Sequence, residues 1–481
     1  MSEPSQTRLH AAHALLPGGW ARSVSLAWDE HGVLTRVEPE SAAPHGAPHA
    51  PGPLLPGLPN LHSHAFQRVF AGLTEQRAPG GPAASFWSWR DRMYRVALAV
   101  SPEQLEAIAT QLYLEMLRAG YTSVCEFHYL HHDVHGHAHA DPAEMAWRLV
   151  AAARATGIGL TLLPALYQHA GFGAAPPRAE QRRFIASVDT VLEIARRVRA
   201  GGTPVGLAPH SLRAVGPAAL RELIAGADPL DAAMPLHIHI AEQRQEVADC
   251  IAWCGQRPVE WLLANAPVDA RWCLVHATHL SDAERDGLAT SGAVVGLCPS
   301  TEANLGDGVF DAAAYLAAGG AWGIGSDSHA SVDAADELRL LELTQRLATE
   351  RRNVLASDAH PGVAERLWLG AVAGGAQASG RCGAGPVAAA SGGAGGVAAS
   401  NVAGLAVGQP ADFIALDATG VRAGLRPEQA LACPVFARHV GPAPLDVWVG
   451  GRRVIEGGRH PLDGAAAARF VAARTTLVYA A

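Results

Sequence analysis

Between residues 54 and 329 the chain alternates short apolar runs with longer stretches of helical periodicity, and it does so eight times. The runs are LLPGLPNL (54–61), YTSVCEF (121–127), GIGLTLLPALY (157–167), TPVGLAP (203–209), MPLHIHI (234–240), RWCLVHA (271–277), GAVVGLC (292–298) and AWGIGS (321–326). Such alternation leaves few topologies, because parallel strands need long crossover connections and helices supply them. Eight units in one block predict an α/β fold of the (β/α)8 TIM-barrel type, with its chemistry on the loops that follow the strands. The segments between the runs are punctuated as helices. In SPEQLEAIATQLYLEMLRAG, Ser101 suits the cap, Pro102 the first turn and Gln104 the third position of a capping box, while Gly120 ends the helix. Leu105, Ile108, Leu112, Met116 and Leu117 fall on one stripe of that helix.

The flanks break the alternation. Residues 20–38 read as a β-hairpin, as do ADFIALD (411–417) and LDVWVGGRRVIEGGRH (445–460), which predicts a small β-sandwich domain built from both termini. The Gly/Ala/Ser/Val stretch from Gly383 to Gly404 reads as a linker returning the chain from the barrel. The expected domains are therefore 1–53 and 405–481 for the sandwich, 54–382 for the barrel and 383–404 for the linker.

Composition removes several mechanisms. All 37 basic residues are Arg, so a Lys Schiff base, a Walker A phosphate loop and a carbamylated-Lys bridge between two metals are excluded. A formal charge of −8 without a basic run argues against nucleic acid or an anionic membrane surface as partner. The seven Cys are scattered and never form C-x-x-C, which fits a reducing compartment. The first residues lack a basic start followed by an apolar core, and no apolar run approaches the roughly 18 to 20 residues that span a bilayer, so the expected location is the cytoplasm.

Metal-capable residues stand where the barrel would gather its site. His62 and His64, two apart in NLHSHAF, share one side of an extended strand, although H-x-H alone is a weak signal. His239 and Glu242 close the fifth strand, His276 the sixth, and Asp327 follows the eighth. Three His and one Asp offer nitrogen and oxygen donors that suit Zn²⁺ and leave room for a water; Fe²⁺ or Mn²⁺ would also be accepted. Without Lys to bridge two ions, a single metal is favoured. Period two places His237 and His239 on the same face and does not choose between them, and His279 and His329 are equally ambiguous.

Longer motifs carry a resemblance. LPGLPNLHSHAFQRVFAGLTE, FWSWRDRMYR, AGYTSVCEFHYLHH, GLTLLPALYQHAGFG, HSLRAV, HIHIAEQ, RWCLVHATH, STEANLGDG and GIGSDSH together resemble the amidohydrolase superfamily, and within it the iminohydrolases that act on N-formimino-L-glutamate. The resemblance runs over nearly the whole chain; the Gly/Ala-rich 383–404 stretch is longer than the family pattern. It implies one Zn²⁺ per chain held by His62, His64, His239 and Asp327, with His239 preferred to His237. It implies catalytic roles for Glu242, His276 and Asp327, and substrate contacts from Gln67, Arg90, Tyr129, His210 and Arg213. It also implies hydrolysis to N-formyl-L-glutamate and ammonia in histidine degradation, and a homodimer. Such a substrate carries two carboxylates, which planar guanidinium groups bind bidentately. Spacing alone favours a surface or loop-bracing role for Arg90 and Arg213; the resemblance reverses that preference.

Other features are read as less specific. His128, His131, His132, His135, His137 and His139 read as a solvated loop, Trp87 and Trp89 as packing under the site loop, and Glu302, Asn304 and Asp307 as shaping the mouth. The competing functions are deamination of a ring amidine of the guanine, adenosine or pterin type, and a non-catalytic binding barrel. A ring site would need aromatic stacking more than Arg clamps, and a binding barrel would not need its ligand positions.

Overall fold

The computed structural model describes residues 7–75, 86–381, 402–437 and 444–479. Its centre is eight parallel strands that follow one another in space as they do in sequence. Leu58–Ser63, Tyr121–His128, Gly159–Leu166 and Ala208–Pro209 form one four-stranded sheet. Leu236–Ile240, Trp272–His276, Val294–Leu297 and Ala321–Ile324 form the other. Parallel bridges Leu207↔Leu236 and Ser211↔His239 join the halves on one side and Ser63↔Asp327 on the other, closing the barrel. The fourth strand is the shortest because Pro204 and Pro209 withhold two N–H donors from its ladder.

The first apolar run divides. Leu54–Pro56 leaves the barrel and pairs with Ala14 on one side and residues 413–415 on the other. Gly57 then brings the backbone against the second strand so closely that a Cβ would stand 2.1 Å from Thr122 Cγ2. Barrel pairing begins one residue later, at Leu58↔Tyr121.

The helix at Pro102–Arg118 is built as its sequence dictates. Ser101 Oγ accepts the Gln104 N–H at 3.2 Å, and the Ser101 N–H donates to Gln104 Oε1 at 2.9 Å. Its stripe of Leu105, Ile108, Leu112, Met116 and Leu117 is buried against the strands.

Both termini contribute to a second sheet, in the order Arg452–Ile455, Pro444–Val449, Phe413–Leu416, Leu54–Pro56, Thr7–Leu16, Gly19–Trp28, Leu34–Glu38. Hydrogen bonding runs through all seven strands as one sheet. Trp28, Phe413 and Trp448 pack on it, with ring centroids 5.7 and 4.9 Å apart. Strand Thr7–Leu16 was not anticipated, because TRLHAAHALL, rich in Ala and His, lacks period-two alternation. Helices Pro427–Phe436 and Asp463–Tyr479 are likewise additions, the second tied to the barrel by the Arg118–Asp463 ion pair. Of the expected linker, residues 383–401 lie outside the described residues. Among the described residues no helix is long and apolar enough to cross a membrane.

Candidate active site

At the C-terminal mouth of the barrel three imidazole nitrogens converge. His62 Nε2 lies 3.1 Å from His64 Nε2 and 2.9 Å from His239 Nε2, and His64 and His239 Nε2 are 3.4 Å apart. Asp327 Oδ1 stands 3.3 Å from the Nε2 of both His62 and His64. The backbone holds this cluster in place. Asp327 N–H donates to His62 O at 3.0 Å, and a side chain at Gly325 would meet His62 Cβ at 2.8 Å.

The hydrogen bonds behind the rings decide what the cluster can hold. His64 Nδ1–H donates to Phe127 O at 2.9 Å and His239 Nδ1–H to His210 O at 3.0 Å. Their Nε2 atoms are therefore lone-pair acceptors, facing each other and a carboxylate oxygen. Burial holds His62, His64 and His239 below the ordinary imidazole value, which favours the neutral, ligating form. Acceptors at such separations repel one another unless a cation lies between them, so His62, His64, His239 and Asp327 fit a metal ion.

Two further groups adjoin this cluster. His276 Nε2 is 3.8 Å from Asp327 Oδ2 and 3.8 Å from Glu242 Oε1, and its Nδ1 is 3.2 Å from Glu302 Oε1. Burial opposes a charge on His276, but Glu242, Glu302 and Asp327 outweigh it and push its pKa up to about 10. Burial pushes Glu242 up to about 7, against the pull of His276 and Arg213. A carboxyl that holds a proton near neutrality beside a charged imidazole is suited to general acid work. Ala241, His276, Ala277 and Asp327 adopt φ of +51°, +69°, +48° and +44°. Left-handed backbone at non-glycine residues costs about 1–3 kcal/mol each and gathers where function holds it.

The five expected substrate-binding residues line the same cavity as His64, His239, Glu242, His276 and Asp327. Gln67 Nε2 donates to Tyr129 Oη at 3.0 Å, and Arg90 lies over the Tyr94 ring at 5.6 Å. Arg213 Nε is 3.8 Å from Glu246 Oε1 and is itself buried without a hydrogen-bond partner among the described residues. His210 is half-buried, and desolvation with Arg213 nearby holds its pKa well below the ordinary value.

Geometry separates the ambiguous histidines. His237 Nε2 bonds Ala378 O at 2.8 Å and His279 Nε2 bonds Asp307 O at 2.8 Å, both away from the cluster. His329 is buried between Ser63 Oγ and Ser326 Oγ, at 3.2 and 3.0 Å. The His-rich loop is only partly solvated. His128 and His131 are buried, and His131 and His132 bond the carbonyls of Ala165 and Ile185, whereas His135 and His137 are exposed. Trp89 lines the cavity, and the Trp87 side chain lies outside the described residues.

Several supporting groups were not singled out in advance. Glu126 accepts bonds from the Ser63 hydroxyl and the Ala65 N–H, both at 2.6 Å, holding the two residues that flank His64. Glu246 Oε2 accepts the Glu242 N–H at 3.1 Å. Glu302, expected only to shape the mouth, orients His276. A carboxylate inside an apolar strand, as in YTSVCEF, was the available signal for Glu126.

The buried histidines give a sign to acid sensitivity. His62, His64, His128, His131, His210, His237 and His239 all titrate below the ordinary imidazole value, His131 and His237 at about 4, burial being the first cause in each. The unfolded chain binds these protons first, so these histidines lower folding stability as pH drops through 6.5 towards 4, while the buried carboxyls of Glu126, Glu242 and Asp307, pushed up to about 8, 7 and 9, keep protons that the unfolded chain gives up and oppose that trend. Imidazole resonances of these histidines followed from pH 7.5 to 4.5 should show no titration at 6.5; a transition there would contradict the buried neutral assignment.

Comparisons with known proteins place these features. The amidohydrolase family model matches residues 54–372. The formimidoylglutamate deiminase of Pseudomonas aeruginosa is 49% identical over 468 residues, covering 96% of this chain and 98% of that protein. Among solved structures, an amidohydrolase from Brucella melitensis superposes with TM-score 0.88 at 45% identity, covering 98% of this chain and 99% of that one. An adenosine deaminase from Xanthomonas campestris, solved with bound zinc, shares the fold with TM-score 0.74 at 23% identity, covering 99% of each chain. By the extent of these matches, the chain belongs to the amidohydrolase family.

Proposed function

We propose that the protein hydrolyses N-formimino-L-glutamate to N-formyl-L-glutamate and ammonia, as a cytoplasmic, homodimeric enzyme of histidine degradation. One Zn²⁺ per chain would be held by His62, His64, His239 and Asp327. In this reading the single seven-stranded sheet built from both termini is the small β domain that accompanies the barrel. What supports it is one juxtaposition: Arg213 and Arg90 share a cavity with Glu242, His276 and the metal-fitting cluster, an anion clamp beside a hydrolytic centre. The 49% identity to a formimidoylglutamate deiminase supports the substrate.

When bound, such a cation lowers the pKa of a water towards neutrality and polarises the carbon under attack. Asp327, whose Oδ2 faces His276, takes the proton of the attacking water. Glu242 protonates the imine nitrogen as the formimino carbon becomes tetrahedral, and charged His276 offsets the developing negative charge. The proton on Asp327 then passes to the departing nitrogen, which leaves as ammonia as the C–N bond breaks, while the hydroxyl proton goes to Glu242 as the formyl carbonyl forms. Arg213 and Arg90 hold the two substrate carboxylates, with Gln67, Tyr129 and His210 completing their contacts.

Arg213→Met should raise KM for the dicarboxylate about 10- to 100-fold, the worth of one charge-assisted pair, with a smaller change in kcat. An unchanged KM would move the clamp elsewhere. The deciding assay is ammonia release from N-formimino-L-glutamate beside a ring-amidine control. Release from the ring amidine alone discards the substrate and keeps the hydrolytic centre; release from neither favours a binding barrel.

A further inference from the structure

We propose a second cation site beside the first, formed by His276, Cys298 and Asp327, that takes a soft divalent ion such as Zn²⁺ or Cd²⁺. Each residue offers one ligand atom, these atoms lie within 4.8 Å of one another, and all three residues are buried.

Asp327 is divided between the two clusters. Its Oδ1 faces His62 and His64 at 3.3 Å, while its Oδ2 faces His276 Nε2 at 3.8 Å. A carboxylate with one oxygen towards each group of ligands can serve two cations at once. Glu302 fixes the other two ligands from behind, because its Oε1 lies 3.2 Å from His276 Nδ1 and accepts the Cys298 N–H at 2.8 Å. The outer carboxylate thus occupies Nδ1 and leaves Nε2 to ligate.

Cys298 distinguishes this site from the first. It follows the seventh strand as a member of a small apolar cluster with Leu61, Cys273 and Val275, a place where a cysteine needs no polar neighbours. Its reach to an imidazole and a carboxylate makes a mixed sulfur, nitrogen and oxygen set, which selects thiophilic ions over Mg²⁺ or Ca²⁺. On binding, the Cys298 S–H bond and the His276 Nε2–H bond break, both protons go to solvent, and the freed sulfur and nitrogen electron pairs form the bonds to the metal; no oxidant or reductant is needed. His276 and Asp327 line the open cavity and give the ion its way in. An ion seated there takes the ring nitrogen that the proposed hydrolysis uses, so excess metal inhibits. That clause rests on the proposed function, whereas binding does not.

The test titrates Cd²⁺ into zinc-loaded protein and into Cys298→Ser, following bound metal per chain and the ultraviolet thiolate-to-cadmium band. Exchange at the first site gives no such band, because none of its ligands is a thiol. The wild type should bind one equivalent beyond the first and develop the band. Cys298→Ser should bind one fewer, show no band, turn over normally with zinc alone, and need at least about tenfold more metal for inhibition. Cys298→Ala serves if the serine variant does not fold. A wild type that stops at one equivalent without a band overturns the site, as does a variant with the same count and band. A thiol-dependent second equivalent in protein that turns over no substrate would keep the site and discard the proposed function.

Discussion

Glu242→Gln should lower kcat by about 10²- to 10⁴-fold, the range over which a positioned general acid contributes, while leaving metal content unchanged. The side chain is buried, and Gln matches its shape, so packing at the end of the fifth strand survives. Its backbone N–H stays on Glu246. What is lost is a proton that can be given away. None of the converging His62, His64, His239 and Asp327 atoms belongs to Glu242, and metal analysis should find the same occupancy in both proteins. The pH profile carries the sign. With its carboxyl pushed up to about 7, wild-type kcat should fall as pH rises through that value, because the deprotonated form cannot act as the acid. His276, at about 10, stays charged throughout, and the residual rate of the variant should lose this step. Near-normal turnover by Glu242→Gln would remove the residue from the mechanism.

Stripping the metal should abolish turnover and loosen the fold together. Without a cation the Nε2 lone pairs of His64 and His239 face each other at 3.4 Å with a carboxylate oxygen alongside, in a buried setting that water screens poorly. An ion that binds only the folded chain stabilises it by about 4 kcal/mol at a free concentration 1,000 times its Kd. Exhaustive chelation should therefore lower Tm by several degrees and reduce ammonia release to background, with Zn²⁺ restoring both. Full activity in protein with a metal content near zero would refute a metal-dependent centre. A loss of activity with unchanged Tm would mean that the four side chains relax apart without cost.

The barrel was legible because its signal is periodic. Each of the eight apolar runs overlaps a barrel strand, and the capping box at Ser101 and Gln104 formed as written. The strand-end positions of His62, His239, His276 and Asp327 were legible too, since parallel barrels put their chemistry at those ends. The choice between His237 and His239 was not. Both point inward by period two, and only depth along the strand separates them, one bonding Ala378 O near the bottom and the other reaching the mouth. The fate of Leu54–Pro56 was hidden for a similar reason, because an apolar tripeptide suits a barrel or a neighbouring sheet equally. Its partners lie some 40 and 360 residues away, and local pattern carries no information at that range. Glu302 was illegible as a support because its bond to His276 is made only when the loops after the sixth and seventh strands meet, and Glu246 because a carboxylate accepting the N–H four residues back has no periodic signature.

The position of Leu54–Pro56 also orders events during synthesis. It is an inner strand with one neighbour made early, Thr7–Leu16, and the other made late, Phe413–Leu416. As the chain leaves the ribosome at about 5 to 20 residues per second, the barrel emerges whole while this sheet still presents an unpaired edge. An exposed apolar edge is a template for the wrong partner, including the same edge on another nascent chain. Translation arrest or truncation before residue 413 would prolong that exposure, making the final seventh of the chain the part that protects what the first residues began.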